Sequence, residues 1–530
     1  MKKRMIGLSL IILFGLSIVT FSVFSIVNNE WIMQAANSQS TYKLIVSKQR
    51  GTIYDCNMKP ITGNGDKKVL AAVAPNIDAA NVLAEVFAKS EMPSIYNMLS
   101  EGKPFLLKLP NGKVCAQGIN CFEINERYED EQLCTHIIGY LNSAGSGVSG
   151  IELAYDEYLK NVGAEISLNY KVDALGRVLV GEEPVINDTE YMSAKGIELT
   201  IDSDIQRVSE EAAKNYMKKG AIVVTDVLSG EIKSVVSVPK YSPNNIEDYL
   251  RDTSSPMINR AFLPYNVGSV FKLVSAAAAL ECGMPPETSY ECCGDIDVQG
   301  VHFHCFNGVP HGVVNMEQAI AYSCNGYFVN LWNNLDCNKL LELAKNFGFG
   351  KSLQLAPYMI SESGVLPSQE DISNPKAISN FSFGQGDFMA TPLQIASMVS
   401  TIANGGIYKE PRLVKGFLDA DKNLELLNKE YDETRVISEW TAEKIKSYMI
   451  SAVEYGTGTK GKPTYAMAGA KTGTAETGEI IDGKKVVQGW FAGFYPANSP
   501  KYSIVVLSED VESGENNAQI FKFIADNLSF

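Results

Sequence analysis

Positive charge is in short supply along this 530-residue chain, with 46 lysines and arginines against 61 aspartates and glutamates and a net charge of -15. That balance excludes a broad electrostatic footprint for nucleic acid. Histidine is scarcer still, with 4 in the whole chain. There is one long uncharged run, no internal repeat at the periods of solenoids or propellers, and no P-loop. Gly456-Thr457-Gly458-Thr459 resembles a phosphate cradle but lacks its spacing, and reads as a turn. Signals of disorder are missing too: 45% hydrophobic and 20% charged residues, with 43 Gly and 21 Pro, describe a chain that packs. At this length about two to four domains are expected.

What is present begins with Lys2, Lys3 and Arg4 ahead of an uncharged run from Ile6 to Val27. As a helix this run would measure roughly 33 Å against a hydrocarbon core of about 30 Å. A secretory signal peptide, for which Ala35 and Ala36 would be the small-residue cleavage context, usually has an apolar region of only about 7–15 residues. The segment 6–27 therefore reads as an uncleaved, single-pass signal anchor. The basic cluster makes residues 1–5 a cytoplasmic tail and places everything after Asn28 outside the cell membrane.

From 28 to 195 the pattern is irregular, with short β-rich pieces such as Tyr42 to Val46 and Lys68 to Val73 between polar loops. This reads as an elongated α+β stalk. A larger domain spans 196–530. It opens with a strand at Ile197 to Ile201, a helix at Asp204 to Lys219, and two strands at Ala221 to Thr225 and Glu231 to Ser237. An Ala-rich buried helix follows Pro264 and ends at Gly283, and further helices are expected at Met316 to Tyr322, Leu340 to Phe347, Thr391 to Ala403 and Glu439 to Glu454. Strands return at Val486 to Gly493 and Tyr502 to Leu507 before a last helix from Ala518 to Asn527. The fold class is α+β.

Three short motifs carry the chemistry. Ser269-Val270-Phe271-Lys272 places a hydroxyl and an ammonium three apart, on one face of a helix. The same spacing occurs at Ser40, Ser237 and Ser373, but only Ser269 opens a buried helix. Ser323-Cys324-Asn325 brings both polar groups to one site only if it is a loop or turn. Lys471-Thr472-Gly473-Thr474 reads as a strand edge, where Thr472 and Thr474 point the same way and Gly473 lets substrate backbone approach.

The order Ser-x-x-Lys, Ser-x-Asn, Lys-Thr-Gly is shared by penicillin-binding proteins and class A β-lactamases. The chain resembles a class B penicillin-binding protein along nearly its whole length. Arg50-Gly51-Thr52-Ile53-Tyr54-Asp55, Gly147 through Tyr155 with Glu152, and Asp173-Ala174-Leu175-Gly176-Arg177 look like the family's stalk motifs. Leu199-Thr200-Ile201-Asp202 with Ile205-Gln206, Asn259-Arg260-Ala261, Gly384-Gln385-Gly386 and Thr391-Pro392-Leu393-Gln394 are similar to positions in its larger domain. Two departures are Val267, where the family commonly has Pro, and Cys56, where it usually has Arg.

The resemblance implies a penicillin-binding-protein/serine β-lactamase-like transpeptidase domain, an antiparallel sheet flanked by helices. It implies a peptidoglycan D,D-transpeptidase that crosslinks stem peptides through a Ser269 acyl-enzyme and is acylated by β-lactams. Lys272 would be the base, which requires its pKa to fall by about three units from a reference near 10.4. Ser323 would relay a proton, Asn325 would position the substrate amide, and Thr472 and Thr474 would hold the substrate carboxylate beside Lys471, with Gly473 between them. Backbone N–H groups of Ser269 and Thr474 would form the oxyanion hole. The implied partner is a polytopic peptidoglycan glycosyltransferase, and no cofactor is needed for catalysis. The alternatives are a non-catalytic β-lactam or peptidoglycan-binding sensor or scaffold, and a serine β-lactamase, for which no deacylating Glu is assignable.

The 10 cysteines are unevenly placed: Cys282, Cys292, Cys293, Cys305 and Cys324 cluster with His302, His304 and His311. Cys292, Cys305, His311 and Cys324 make a Cys₃His set suited to tetrahedral zinc, with Cys293 as the alternative to Cys292. Disulfides among them fit an exterior location, and free thiols fit a reducing habitat. Some class B penicillin-binding proteins of anaerobic or spore-forming lineages resemble this order of Cys, His-Gly and Ser-Cys-Asn, which implies a structural zinc rather than an electrophile. Cys115 and Cys121 could close a small stalk loop.

Overall fold

The computed structural model describes residues 2–31, 40–110, 112–114, 116–160, 165–179, 181–189, 195–481, 484–509 and 515–528, with backbone alone at 188–189, 477–481, 484–485 and 515. Helix α1, Lys2–Val27, has a mean hydropathy of 2.6 over an 18-residue window. Among the described residues it is the one helix long and apolar enough to cross a membrane. Cys115, and with it the Cys115–Cys121 pairing, lies outside the described residues.

The chain forms two compact units: Met1–Arg50, Gly65–Arg127 and Lys160–Ser193 make the smaller, and Gly51–Asn64, Tyr128–Leu159 and Ala194–Phe530 the larger. The smaller holds two antiparallel three-stranded sheets, Thr41–Lys48 with Glu165–Lys171 and Val185–Thr189, and Phe105–Lys108 with Lys67–Val73 and Ile119–Asn125. The larger draws on two stretches ahead of the 195/196 boundary. One joins because Thr52–Tyr54 pairs in parallel with Gly196–Leu199. Asp55, fully buried, also accepts hydrogen bonds from Ser203 N (3.1 Å) and Ser203 Oγ (2.6 Å), satisfying the start of the next helix. The other, Tyr128–Leu159, contributes Ile137, Ile138 and Ile151 to the main core.

The larger unit is organised by a five-stranded antiparallel sheet of β1 (Gly220–Asp226), β2 (Ile232–Val238), β3 (Gly469–Ile481), β4 (Lys484–Tyr495) and β5 (Tyr502–Ser508), in the order β2-β1-β5-β4-β3. Both faces are covered, so the strands read as near-continuous apolar runs. Ala221, Val223, Ala492, Val505 and Leu507 face one core, and Ile222, Val224, Phe491, Ile504 and Val506 the other.

Its helices include α2 (Ser203–Tyr216), α3 (Lys272–Glu281), α4 (Met316–Ala321), α5 (Asn325–Trp332), α6 (Pro392–Ala403), α7 (Glu439–Glu454) and α8 (Glu515–Asn527), and a further one at Cys337–Asn346. Helices α2 and α8 pack on the second face, while α3 and α6 supply the first. Every residue of α6 is buried. A capping box at Thr391 and Gln394, with Pro392 at its start, sets where α6 begins.

Candidate active site

The nucleophile motif differs locally from the expected helix. Ser269 lies in a 3₁₀ turn, Gly268–Phe271, and Lys272 is the first residue of α3. Side chains three apart eclipse in a 3₁₀ turn, so the pair still shares a face. Gly268 has φ +62° and donates its N–H to Gly384 O at 2.8 Å. A Cβ there would stand 2.7 Å from Thr474 O, so only glycine lets the turn seat on β3. Behind it Phe271 packs on Phe381 and Phe388, with ring centroids 4.8 and 4.4 Å away.

Lys272 is completely buried. Its Nζ donates to Ser323 O (2.7 Å), Ser323 Oγ (3.2 Å) and Asn325 Oδ1 (2.6 Å), which uses the three hydrogens of an ammonium. Burial pushes it down to about 8, against the opposing influence of Cys324, Cys305 and Cys292. Ser323 adopts the left-handed region at φ +59°, a conformation costing about 1–3 kcal/mol for a residue with a side chain. The motif is thus the turn its spacing required, and Cys324 then caps α5 by accepting from Tyr327 N at 3.4 Å. Asn325 opens α5, and its Nδ2 donates to His304 O at 2.7 Å. That carbonyl ends a hairpin of Asp295–Val298 and Val301–His304, and no local pattern connected it to the motif.

Lys471, Thr472, Gly473 and Thr474 lie on β3, which is an edge strand. Lys471 is fully buried, and desolvation first and the Lys272 charge second lower it well below the ordinary ammonium range. Its Nζ donates to Thr472 O at 3.0 Å. Thr472 is half-buried and Thr474 exposed, on the face opposite Lys471. A Cβ on Gly473 would meet Val270 Cγ2 at 2.9 Å and Val267 O at 3.0 Å, so its missing side chain makes room for the Ser269 turn. Ser269 itself is half-buried and is not among the hydrogen-bond partners of Lys272.

Beside these groups Cys292, Cys305, His311 and Cys324 place one ligand atom each within 4.8 Å of one another. The separations are 3.6 Å for Cys292 Sγ to Cys305 Sγ, 3.9 Å for Cys305 Sγ to Cys324 Sγ, and 3.4 Å for Cys292 Sγ to His311 Nδ1. A disulfide needs about 2.05 Å. Tetrahedral zinc with ordinary bond lengths sets two sulfurs about 3.8 Å apart, and a sulfur about 3.5 Å from a nitrogen. The donor set and its spacing fit that ion. Cys293 is exposed and outside the group, so Cys292 is the member. The hydrogen bond joining Cys305 and Cys324 lowers the former thiol and raises the latter.

Residues 220–526 match the family model "Penicillin binding protein transpeptidase domain". The chain belongs to the class B penicillin-binding protein transpeptidases. This penicillin-binding protein is 30% identical over 405 residues to the peptidoglycan D,D-transpeptidase PbpA of Mycolicibacterium smegmatis, covering 72% of this chain and 78% of that one. It is 28% identical over 493 residues to stage V sporulation protein D of Bacillus subtilis, covering 88% and 72%. Among solved structures it matches a chain of a peptidoglycan synthase complex that coordinates polymerization and crosslinking, at TM-score 0.72 and 22% identity, covering 99% of this chain and 98% of that chain. Penicillin-binding protein 3 of Mycobacterium tuberculosis with aztreonam matches at TM-score 0.65 and 22% identity, covering 91% and 96%. These structural likenesses show the fold. The penicillin-binding protein fold accounts for Gly384-Gln385-Gly386 as well: a Cβ on Gly384 would lie 2.1 Å from Gly268 O, so this motif supports the Ser269 turn from behind.

Proposed function

We propose that this chain is a membrane-anchored peptidoglycan D,D-transpeptidase. The observation that carries the reading is Lys272: a buried ammonium lowered to about 8, tied to both polar residues of the Ser323–Asn325 turn and one 3₁₀ turn from Ser269. In the mechanism Ser269 Oγ attacks the carbonyl of the D-alanyl-D-alanine bond, and Lys272, having lost a proton, accepts the hydroxyl hydrogen. Backbone N–H groups of Ser269 and Thr474 stabilise the oxyanion. Ser323 relays the proton to the departing D-alanine amine, leaving the acyl-enzyme. The amine of a neighbouring stem peptide then attacks, and the same groups run in reverse. Asn325 holds the substrate amide, while Thr472 and Thr474 hold its carboxylate in the field of Lys471. A β-lactam acylates the same Ser269.

Cys292, Cys305, His311 and Cys324 would hold a structural zinc ion, which neutralises the thiolates and joins the hairpin to the Ser323–Asn325 turn. Lys2, Lys3 and Arg4 at the start of α1 keep the N-terminus cytoplasmic, so the larger unit works outside the membrane. A polytopic peptidoglycan glycosyltransferase is the partner that would supply uncrosslinked strands, reached through the anchor and the smaller unit. Incubating the full chain in detergent with such strands tests the activity. Release of D-alanine with formation of crosslinked dimers is expected, and Ser269→Ala should abolish both. Release of D-alanine without any crosslink, in the presence of an acceptor amine, would contradict transpeptidation.

A further inference from the structure

The Gly456-Thr457-Gly458 turn is neither a phosphate cradle nor an incidental connection. It is clamped between two helix ends: Thr457 N donates to Ala321 O at the end of α4, and Gly458 N to Ala452 O near the end of α7, each at 2.9 Å. A Cβ on Gly456 would stand 2.3 Å from Ala321 O, so the approach requires glycine. This fixes the position of the Thr457 side chain, whose Oγ1 lies 2.8 Å from Thr472 Oγ1. Ala321 is two residues ahead of Ser323, and Thr472 follows Lys471, so Thr457 ties the second motif to the third.

A threonine hydroxyl has one hydrogen, and between two such hydroxyls either can donate. A carboxylate accepts only. If Thr472 gives its hydrogen to a substrate carboxylate, Thr472 Oγ1 is left to accept, and Thr457 is the donor in place. Hydroxyls in series polarise one another, which strengthens the bond to the anion. We infer that Thr457 is a positioning residue for the carboxylate end of the site: its hydroxyl donates to Thr472 Oγ1 and turns the Thr472 hydrogen toward the terminal carboxylate of the donor stem peptide or of a β-lactam. The inference rests on the transpeptidase reading above.

The test compares second-order acylation rates of the full chain in detergent with a penicillin and with the methyl ester of that penicillin, for the parent, Thr457→Val and Thr457→Ser. Thr457→Val should slow the free acid roughly 3- to 10-fold, the range for one hydrogen bond, and change the ester rate less than about twofold. Thr457→Ser, which keeps the hydroxyl, should stay within about twofold of the parent on both drugs. In a Thr472→Val background, Thr457→Val should add less than about twofold. Equal slowing of acid and ester would mean that the residue only supports the fold, and would overturn the inference. So would an unchanged acid rate, or a Thr457→Ser variant as slow as Thr457→Val. A parent chain that takes up neither drug would instead refute the transpeptidase reading, and this assignment with it.

Discussion

Lys272 and Lys471 are two ammonium groups with no exposed surface, and a charged lysine without solvent is stable only while acceptors replace water. Lys272 has three such acceptors in the Ser323–Asn325 turn, so burial lowers its pKa without expelling its proton outright. With a midpoint near 8, about a tenth of the molecules carry the neutral amine at pH 7 and about nine-tenths at pH 9. Acylation by a penicillin should therefore rise with pH through a midpoint near 8, as stopped-flow rates between pH 6 and 10 would read. A flat profile would remove Lys272 from the role of base. The stability sign is the same: between about 8 and 10.5 the unfolded chain binds the proton that the native chain has lost, so this group's penalty is full below the window and relieved as pH rises through it. The identities of Ser269, Lys272, Ser323, Asn325 and Lys471 were legible as motifs. The left-handed Ser323 was not, because it closes the end of α4, where Cys324 N donates to Ala319 O at 2.9 Å and glycine is the usual residue; nor was the His304 carbonyl on Asn325, which comes from a separate hairpin that meets the motif only after folding.

Among the elements, the 3₁₀ turn carrying Ser269 is held by glycine contacts on two sides, Gly268 against Thr474 and Gly384 against Gly268. Gly268→Ala must relieve a 2.7 Å contact with backbone and occupy φ +62°, so it should lower stability by more than about 1 kcal/mol and slow acylation together. Thermal melts beside acylation rates would check this, and a variant with parental values for both would show that the turn can move. Sequence spacing alone favoured a continuous helix here, since Ser-x-x-Lys fits an α-helix and a 3₁₀ turn alike and the deciding contact comes from β3. The cysteine cluster belongs to the same scale, because its four members come from a short strand, the residue that follows a hairpin, a loop and the cap of α5. Protein purified under reducing conditions should contain about one zinc per chain, with Cys305→Ser losing it and melting lower. Metal-free protein that is as stable and active as the parent would contradict a structural ion. Irregular Cys spacing left metal, disulfide and thiol readings open; the Sγ–Sγ separations of 3.6 and 3.9 Å and the Sγ–Nδ1 separation of 3.4 Å fit the donor geometry of a tetrahedral ion.

For the whole molecule, composition and the run from Ile6 to Val27 indicated a packed, multi-domain chain with one apolar helix, and α1 and the two units have that form. The membership of 51–64 and 128–159 in the larger unit was not legible, because a three-residue parallel pairing and scattered isoleucines leave no periodic signature. The net charge of -15 argues against a broad electrostatic footprint for nucleic acid but says nothing of a peptide substrate, whose proposed recognition rests on a few individual side chains. The proposed function turns on one chemical event, the formation of an ester at Ser269. The most direct measurement is the intact mass of the full chain in detergent after exposure to a penicillin, beside its Ser269→Ala variant. The parent should gain the mass of one drug molecule and hold it, and the variant should gain nothing. An unmodified parent, or an adduct that survives in Ser269→Ala, would contradict the account.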